Sequence, residues 1–395
     1  MCSDGCSSTK GLLVHEWIEK TGGAEKVLDA LVELFPNSDV YCLWNDDQEN
    51  FTESRVKESW LAGTAFRGRK SLVAPLLPAL WKRAHLTGYD WALASSHFFA
   101  HHVASNRNFV DVPTFVYAHT PARYIWAPEL DNRGSNLAVR AVAPLFRSID
   151  KRRAKRVTAI AANSEFVRRR ISETWERDAR VIQPPVDVMR ILSTADWSSE
   201  LIGRESDVIE SLPDSFLLGA SRLVPYKRLD SVIKTGEVSG LPVVIAGSGP
   251  DLPRLEALAA KSSTPVHFMG RVSDAFLFAL YQRALAFVFP AIEDFGIMPV
   301  EAMAAGTPVI ATTIGGAAES VVDRATGALA NFDSREEILA AIDIVSGVEQ
   351  GACIARALDF DKATFHKKIL NWLPAEVLSP TGTQLQSPQY RKSGG

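Results

Sequence analysis

The sequence predicts an α/β protein of two domains built on parallel sheets, with a cleft between them. Three observations carry this. The chain has 395 residues, room for two domains at ~150 residues each. Short apolar runs alternate with amphipathic helical stretches, the pattern of parallel α/β layers. Each strand-like run ends in Gly, Pro or polar residues, which punctuate the step from strand to helix.

The first series opens with GLLVHEW (11–17), then a glycine-rich turn, TGGAEK, leading into the helical run KVLDALVELF (26–35). DVYCLW (39–44), DWALASS (90–96) and PTFVYAHT (113–120) supply further strands. RVTAIAANSEFVRRRISETW (156–175) and VIQPPVDV (181–188) lie between the two series. Pro184 and Pro185 restrict the backbone away from helix and mark a domain boundary between 1–183 and 184–355. The second series runs DSFLLGASRL, LPVVIAGSG, VHFMGRV, ALAFVFPA and TPVIATT. DKATFHKKILNWL (361–373) reads as the last helix, within 356–375, and 376–395 as a polar, flexible tail.

Composition narrows the class. Hydrophobic residues make up 46% and charged ones 23%, an ordinary globular balance that excludes disorder or a fibrous repeat. No apolar run approaches the ~18 to 20 residues of a membrane-spanning helix. Cys2, Cys6, Cys42 and Cys353 form neither a disulfide framework nor a zinc site, which points to reduced thiols in a cytoplasmic protein. Net charge is -3, unevenly spread: Arg55 to Arg170 holds 20 Lys/Arg against 7 Asp/Glu. That stretch either attracts phosphates or an anionic membrane surface or forms solvated helix faces. Aromatics are not interleaved with the charge, so nucleic acid is not an expected partner. The segment SLVAPLLPALWKRAHL (71–86) fits a membrane interface or a buried helix equally. Pro75 and Pro78 argue against one long helix there.

The most specific segment is EDFGIMPVEAMAAGTPVIAT (293–312). A buried strand ends at Pro290, a loop carries Glu293, and Gly296 precedes a helix containing Glu301. A helix start beyond a strand's C-terminal end offers unpaired N–H groups and a positive dipole end to an anion. Glycine there lets a diphosphate approach the backbone. Two carboxylates eight residues apart can hold different hydroxyl-bearing parts of one ligand. In GASRLVPYKRLD (219–230), Arg222 and Lys227 follow a strand and suit phosphate oxygens, Arg as a fork and Lys as a point charge. His119 ends another strand in VYAHTPARYIWAP (116–128), where an imidazole can bond a hydroxyl.

Arg222 with Lys227, the GSGP turn (247–250) and Glu-x7-Glu at Glu293 and Glu301 resemble the retaining, GT-B-fold glycosyltransferases of family 4. The resemblance covers roughly 11–375 and is strongest over 217–328. It implies two Rossmann-like domains facing across the cleft, the second holding a nucleotide sugar. By that resemblance Arg222 and Lys227 bind the donor diphosphate, Glu301 the ribose, and Glu293 the transferred sugar. The amides near Phe295, Gly296 and Ile297 complete the donor site. Gly22 and Gly23 match the family's first glycine-rich turn, and the last helix is expected to cross back to the first domain. HTPxRY with the upstream APLLPAL (74–80) resembles bacterial mannosyltransferases of O-antigen or exopolysaccharide synthesis, implying GDP-mannose and a saccharide or lipid-diphosphate-linked acceptor at the inner face of the cell membrane. Arg123 and Tyr124 are acceptor candidates, though packing explains them as well. A UDP-sugar donor and a non-catalytic nucleotide-sugar-binding protein stay open, as does an epimerase of the same architecture.

Other classes fit less well. GSGPDL lacks the third glycine of a dinucleotide fingerprint, with Leu252 in its place. Asp359-Phe360-Asp361 spells a metal-binding Asp-x-Asp but opens the last helix, where capping is its expected role. No metal-ligand spacing is present, so no cofactor or metal is expected. Gly-x-Ser-x-Gly is absent.

Overall fold

The computed structural model describes residues 9–20, 22–51, 55–127 and 137–378. Cys2, Cys6 and nearly all of the expected tail lie outside them. The chain forms two compact units. One comprises residues 1–118, 145–161 and 366–395, the other 119–144 and 162–365.

Seven strands form the first sheet: β1 (Gly11–His15), β2 (Asp39–Cys42), β3 (Val56–Glu58), β4 (Trp91–Ser96), β5 (Thr114–Ala118), β6 (Ala159–Ala162) and β7 (Arg180–Val181). Their order is β3-β2-β1-β4-β5-β6-β7. β1 pairs in parallel with β2 and with β4, and β4 with β5. Every residue of β1, β4 and β5 is buried, as expected for strands covered on both faces.

Six strands form the second sheet: β8 (Leu217–Ala220), β9 (Val243–Ala246), β10 (Val266–Gly270), β11 (Ala286–Phe289), β12 (Val309–Ala311) and β13 (Gly327–Leu329). Their order is β10-β9-β8-β11-β12-β13, with every pair parallel. Strand alternation divides its core between two faces. Leu218, Ala220, Val244, Phe287 and Phe289 enter one cluster. Leu217, Val243, Ile245, Ala286 and Val288 enter the other.

The strands are shorter than their apolar runs suggest, because the runs continue into loops that carry the polar residues. Strands β3, β6, β7 and β13 escaped the sequence reading: β7 has two residues, β3 is a charged edge strand, and β6 (Ala-Ile-Ala-Ala) and β13 (Gly-Ala-Leu) have little β-propensity. Pro75 and Pro78 act as expected: residues 70–83 form a turn of helix Lys70–Val73, a 3-10 turn Ala74–Leu76 and a helix Leu77–Arg83. Asp361 Oδ2 accepts the Ala363 amide at 3.2 Å at the start of the helix Lys362–Leu370. Cys42 and Cys353 are free and buried. Among the described residues no single helix is long and apolar enough to cross a membrane.

Candidate functional site

The order of the second sheet reverses between β8 and β11. The loops leaving those two strands diverge, and ligands bind at such a switch point in open α/β sheets. Arg222 and Lys227 follow β8, and Glu293 to Gly296 follow β11, so topology alone explains why segments 66 residues apart meet.

The β8 loop is seated by the GSGP turn. Gly247 has φ 131°, and a Cβ on it would lie 1.8 Å from the Ser221 carbonyl oxygen. On Gly249 it would lie 2.2 Å from the Leu223 oxygen. Their bare backbones let Leu223 N donate to Ser248 O at 3.0 Å and Asp251 N to Leu223 O at 3.0 Å. The sequence reading took this turn as part of the family signature. Its observed work is to hold the loop that carries Arg222. Lys227 then closes a 3-10 turn, Pro225–Lys227, and Arg228 takes a left-handed φ of 55° before the helix Leu229–Ser239.

In the β11 loop, Gly296 (φ 89°) precedes the helix Ile297–Ala304, whose first turn has no acidic residue. Its leading amides lack intrahelical partners and attract anions. Gly315 and Gly316 brace the loop from behind: Gly316 N donates to Glu293 O at 2.8 Å. A Cβ on Gly316 would stand 2.3 Å from the Asp294 oxygen. Phe295 buries its ring against Phe360, 5.6 Å between centroids, which leaves its amide as the group available to a ligand. Glu301 is 9% exposed on the same helix, close enough to raise the Tyr281 hydroxyl pKa further above the level that burial sets.

Lys227 Nζ donates to Glu293 Oε1, with the two side chains only 17% and 21% exposed. Burial first, and then the positive charges of Arg222 and Arg123, together lower the lysine pKa to about 8. Lys227, Arg222 and Arg123 are thus close enough for their charges to act on one another, with Glu293 on the lysine. Self-repulsion among them favours a ligand bearing more than one negative charge. Arg222 is exposed and donates to the Tyr226 hydroxyl at 2.7 Å.

Asp294, absent from the sequence reading, anchors the loop. Its Oδ1 accepts from Arg170 at 2.6 Å, its Oδ2 from Arg123 Nε at 2.9 Å, and its carbonyl from Ser164 Oγ at 2.5 Å. Arg170 also donates to Thr120 Oγ1 at 2.6 Å and is 8% exposed. The sequence carried a signal for this: Arg170 lies on the helical face of Val167 and Ile171, both buried. Ser164 caps that helix, and Glu319 accepts the Glu165 and Phe166 amides at 2.7 Å each.

His119 directly follows β5 and is half-buried, as is Tyr124 in the turn Arg123–Trp126. Gly22 and Gly23 belong to the first unit, where they open the helix Gly23–Leu34. Gly22 has φ 177°, extended backbone that any residue adopts. Folding also assembles two groups of polar side chains that linear spacing concealed: His15, Glu16 and His97, and His101, His102 and Asp150. Glu16 accepts the Phe98 and Ala100 amides at 2.9 and 2.7 Å. Asp150 Oδ1 lies 2.9 Å from His101 Nε2 and 2.8 Å from His102 Nε2. Arg153 faces His102 Nδ1 at 3.2 Å. A guanidinium only donates, so the His102 proton sits on Nε2, turned to Asp150. This is a hydrogen-bonded network, and burial with the neighbouring His101 lowers the His102 pKa to about 3.

Two family models match in tandem: "Glycosyltransferase Family 4" over residues 21–190 and "Glycosyl transferases group 1" over 206–347. A GDP-mannose-dependent alpha-(1-6)-phosphatidylinositol monomannoside mannosyltransferase of Mycobacterium tuberculosis is 30% identical over 51% of this chain and 56% of that one. The chain thus spans about half the length of such curated relatives. The alpha-1,3/1,6-mannosyltransferase alg-2 of Neurospora crassa is 24% identical over 78% of this chain and 76% of that one. The solved structure of Anabaena Alr3699/HepE in complex with UDP superposes with a TM-score of 0.68 at 20% identity, over 92% of this chain and 99% of that one. With its two parallel α/β sheets, the fold is GT-B.

Proposed function

We propose that this GT-B chain is a retaining hexosyltransferase of the family 4 type, moving mannose from GDP-mannose to a saccharide or lipid-diphosphate-linked acceptor. One observation carries the reading: Lys227, with Arg222 and Arg123 acting on it, meets Glu293 at the switch point of the second sheet, beside an open helix start. The tandem family matches and the mannosyltransferase names among the relatives support it.

In this reading the donor diphosphate displaces Glu293 from Lys227 and lies between Lys227, Arg222 and the amides of Phe295, Gly296 and Ile297. Glu301 takes the ribose hydroxyls, and the freed Glu293 takes hydroxyls of the transferred sugar. As the glycosidic bond breaks, negative charge grows on the leaving diphosphate, and fixed cations and amides stabilise it without reorganising. The acceptor attacks from the face that the diphosphate leaves, and a phosphate oxygen takes its proton, so configuration is retained. Such a reaction requires no metal and no other cofactor. His119 is assigned to a sugar hydroxyl and Tyr124 to the acceptor side. Arg123 is committed to Asp294 and supports the donor loop.

A second reading, the same site with a UDP-sugar, is favoured by the UDP-bound GT-B structure. Both readings make a common demand on Glu293. Glu293→Ala should reduce sugar transfer far more than affinity for the free nucleoside diphosphate, measured by turnover and by isothermal titration. Equal losses of both would remove Glu293 from the sugar.

A further inference from the structure

The order of the first sheet reverses between β1 and β4, so the loops leaving those strands diverge at a switch point of their own. Three titratable side chains gather there: His15 closes β1, Glu16 follows it, and His97 follows β4. One ligand atom from each lies within 4.8 Å of the others. The transfer reaction proposed above uses none of them.

Their protons are placed unlike those of His101, His102 and Asp150. In that group Arg153 keeps the His102 proton on Nε2, where Asp150 accepts it, so a proton fills the ligating nitrogen. At the switch point, His15 Nδ1 lies 3.0 Å from the Ser95 carbonyl oxygen. A carbonyl only accepts, so Nδ1 carries the hydrogen. His15 Nε2 is buried and makes no hydrogen bond among the described residues. A proton on it would be a buried donor without an acceptor, so Nε2 presents a lone pair. Metal-ligating histidines are oriented in this way, with the other ring nitrogen donating to a carbonyl or carboxylate.

Glu16 supplies the charge and is fully buried. Ser96 Oγ and the Phe98 and Ala100 amides hold its Oε1 at 3.1, 2.9 and 2.7 Å. Its Oε2 takes the His97 amide at 3.2 Å and lies 3.1 Å from His97 Nδ1. Bonds of about 2.0 to 2.2 Å to one zinc ion set neighbouring ligand atoms about 3 to 3.5 Å apart, and this pair stands in that range. His97 keeps 24% side-chain exposure, which gives an ion a way in from solvent. A protonated His97 would neutralise Glu16 but leave the His15 nitrogen orphaned. A divalent ion satisfies all three groups, and two imidazoles with one carboxylate suit zinc.

We propose that His15 Nε2, Glu16 Oε2 and His97 Nδ1 bind one divalent transition-metal ion of the zinc type, with water in the fourth position. The ion joins the ends of β1 and β4 at the first sheet's switch point. The site stands on residues of the first unit alone and does not rest on the transfer reading.

Isothermal titration of the full, untagged chain with zinc after dialysis against EDTA tests it, with metal content read by mass spectrometry. One equivalent of zinc should bind and raise the midpoint of thermal unfolding. His15→Asn keeps a donor close to the place of Nδ1 but has nothing at Nε2. It should weaken zinc binding by more than the ~10- to 100-fold that losing an outer-shell partner costs. His97→Ala, at a partly exposed side chain, should do the same, and it decides the matter if His15→Asn does not fold. Cys2→Ser with Cys6→Ser should bind zinc as the wild type does. The proposal is overturned if the wild type takes up no zinc, or if either folded histidine variant binds it unchanged. Loss of the ion in the cysteine variant would overturn it too, by moving the site to the thiols.

Discussion

Lys227→Ala is expected to lower turnover by about 10²- to 10³-fold, the scale for removing one preorganised group that stabilises charge developing in the transition state. The lysine is held 17% exposed on a short turn, so its alignment needs no adjustment when the diphosphate departs. Truncation also leaves Glu293 without its cation, next to the position given to the sugar. The pH dependence has a definite sign. A lysine whose pKa is lowered to about 8 is charged below that pH and neutral above it. The ratio kcat/KM should therefore decline as pH rises through about 8. In the donor complex the diphosphate's negative charge raises the lysine pKa again, so the decline in kcat should appear at higher pH. Lys227→Arg should move the decline in kcat/KM upward. Near-normal turnover in Lys227→Ala, or a kcat/KM flat through pH 9, would take this lysine out of the reaction.

Asp294→Ala is expected to destabilise the second unit by about 3 kcal/mol or more, the range for removing one partner of a buried ion pair. Two guanidiniums converge on this carboxylate, and Arg170 keeps only 9% side-chain exposure. Without Asp294, Arg170 retains the Thr120 hydroxyl but loses its countercharge in a poorly hydrated place. The denaturant midpoint, with the slope checked for constancy, measures the effect. A double-mutant cycle with Arg123→Ala separates the pair from the rest, and coupling of roughly 0.5 to 3 kcal/mol is expected for residues in contact. A loss below about 1 kcal/mol would put the pair among exposed salt bridges, and the loop would then owe its shape to Gly315, Gly316 and Ser164 alone.

Much of the arrangement at the switch point was legible in the sequence because its signals are local. Arg222 and Lys227 stand five residues apart just beyond a strand, and Glu293, Gly296 and Glu301 share one strand–loop–helix segment. The anchoring shell was not legible. Asp294 draws its partners from Arg123, Ser164 and Arg170, more than 120 positions away, and pairing at that distance leaves no mark on composition. Arg170 was nonetheless readable from helical phase, since position 170 shares the buried face of Val167 and Ile171 while Arg168 and Arg169 do not. The glycines show the converse. Gly247 and Gly249 are conspicuous as a motif, yet their observed role is steric: they let one backbone lie on another. The buried histidines remained hidden because His101 and His102 find Asp150 only through the fold, and the tautomer of His102 rests on Arg153.

The central claim is that the switch point of the second sheet is a nucleoside-diphosphate site built around Lys227. Thermal unfolding of the wild type and of Lys227→Ala, titrated with GDP, GDP-mannose, UDP, UDP-glucose and NAD, tests it most directly. Ligand at ~100 times its dissociation constant adds about 2.7 kcal/mol of stability. The expected result is that GDP and GDP-mannose raise the wild-type midpoint and that Lys227→Ala loses most of the shift. A preference for UDP ligands with the same loss would keep the site and change the donor. Stabilisation by NAD alone, or a shift that Lys227→Ala leaves intact, would contradict the claim.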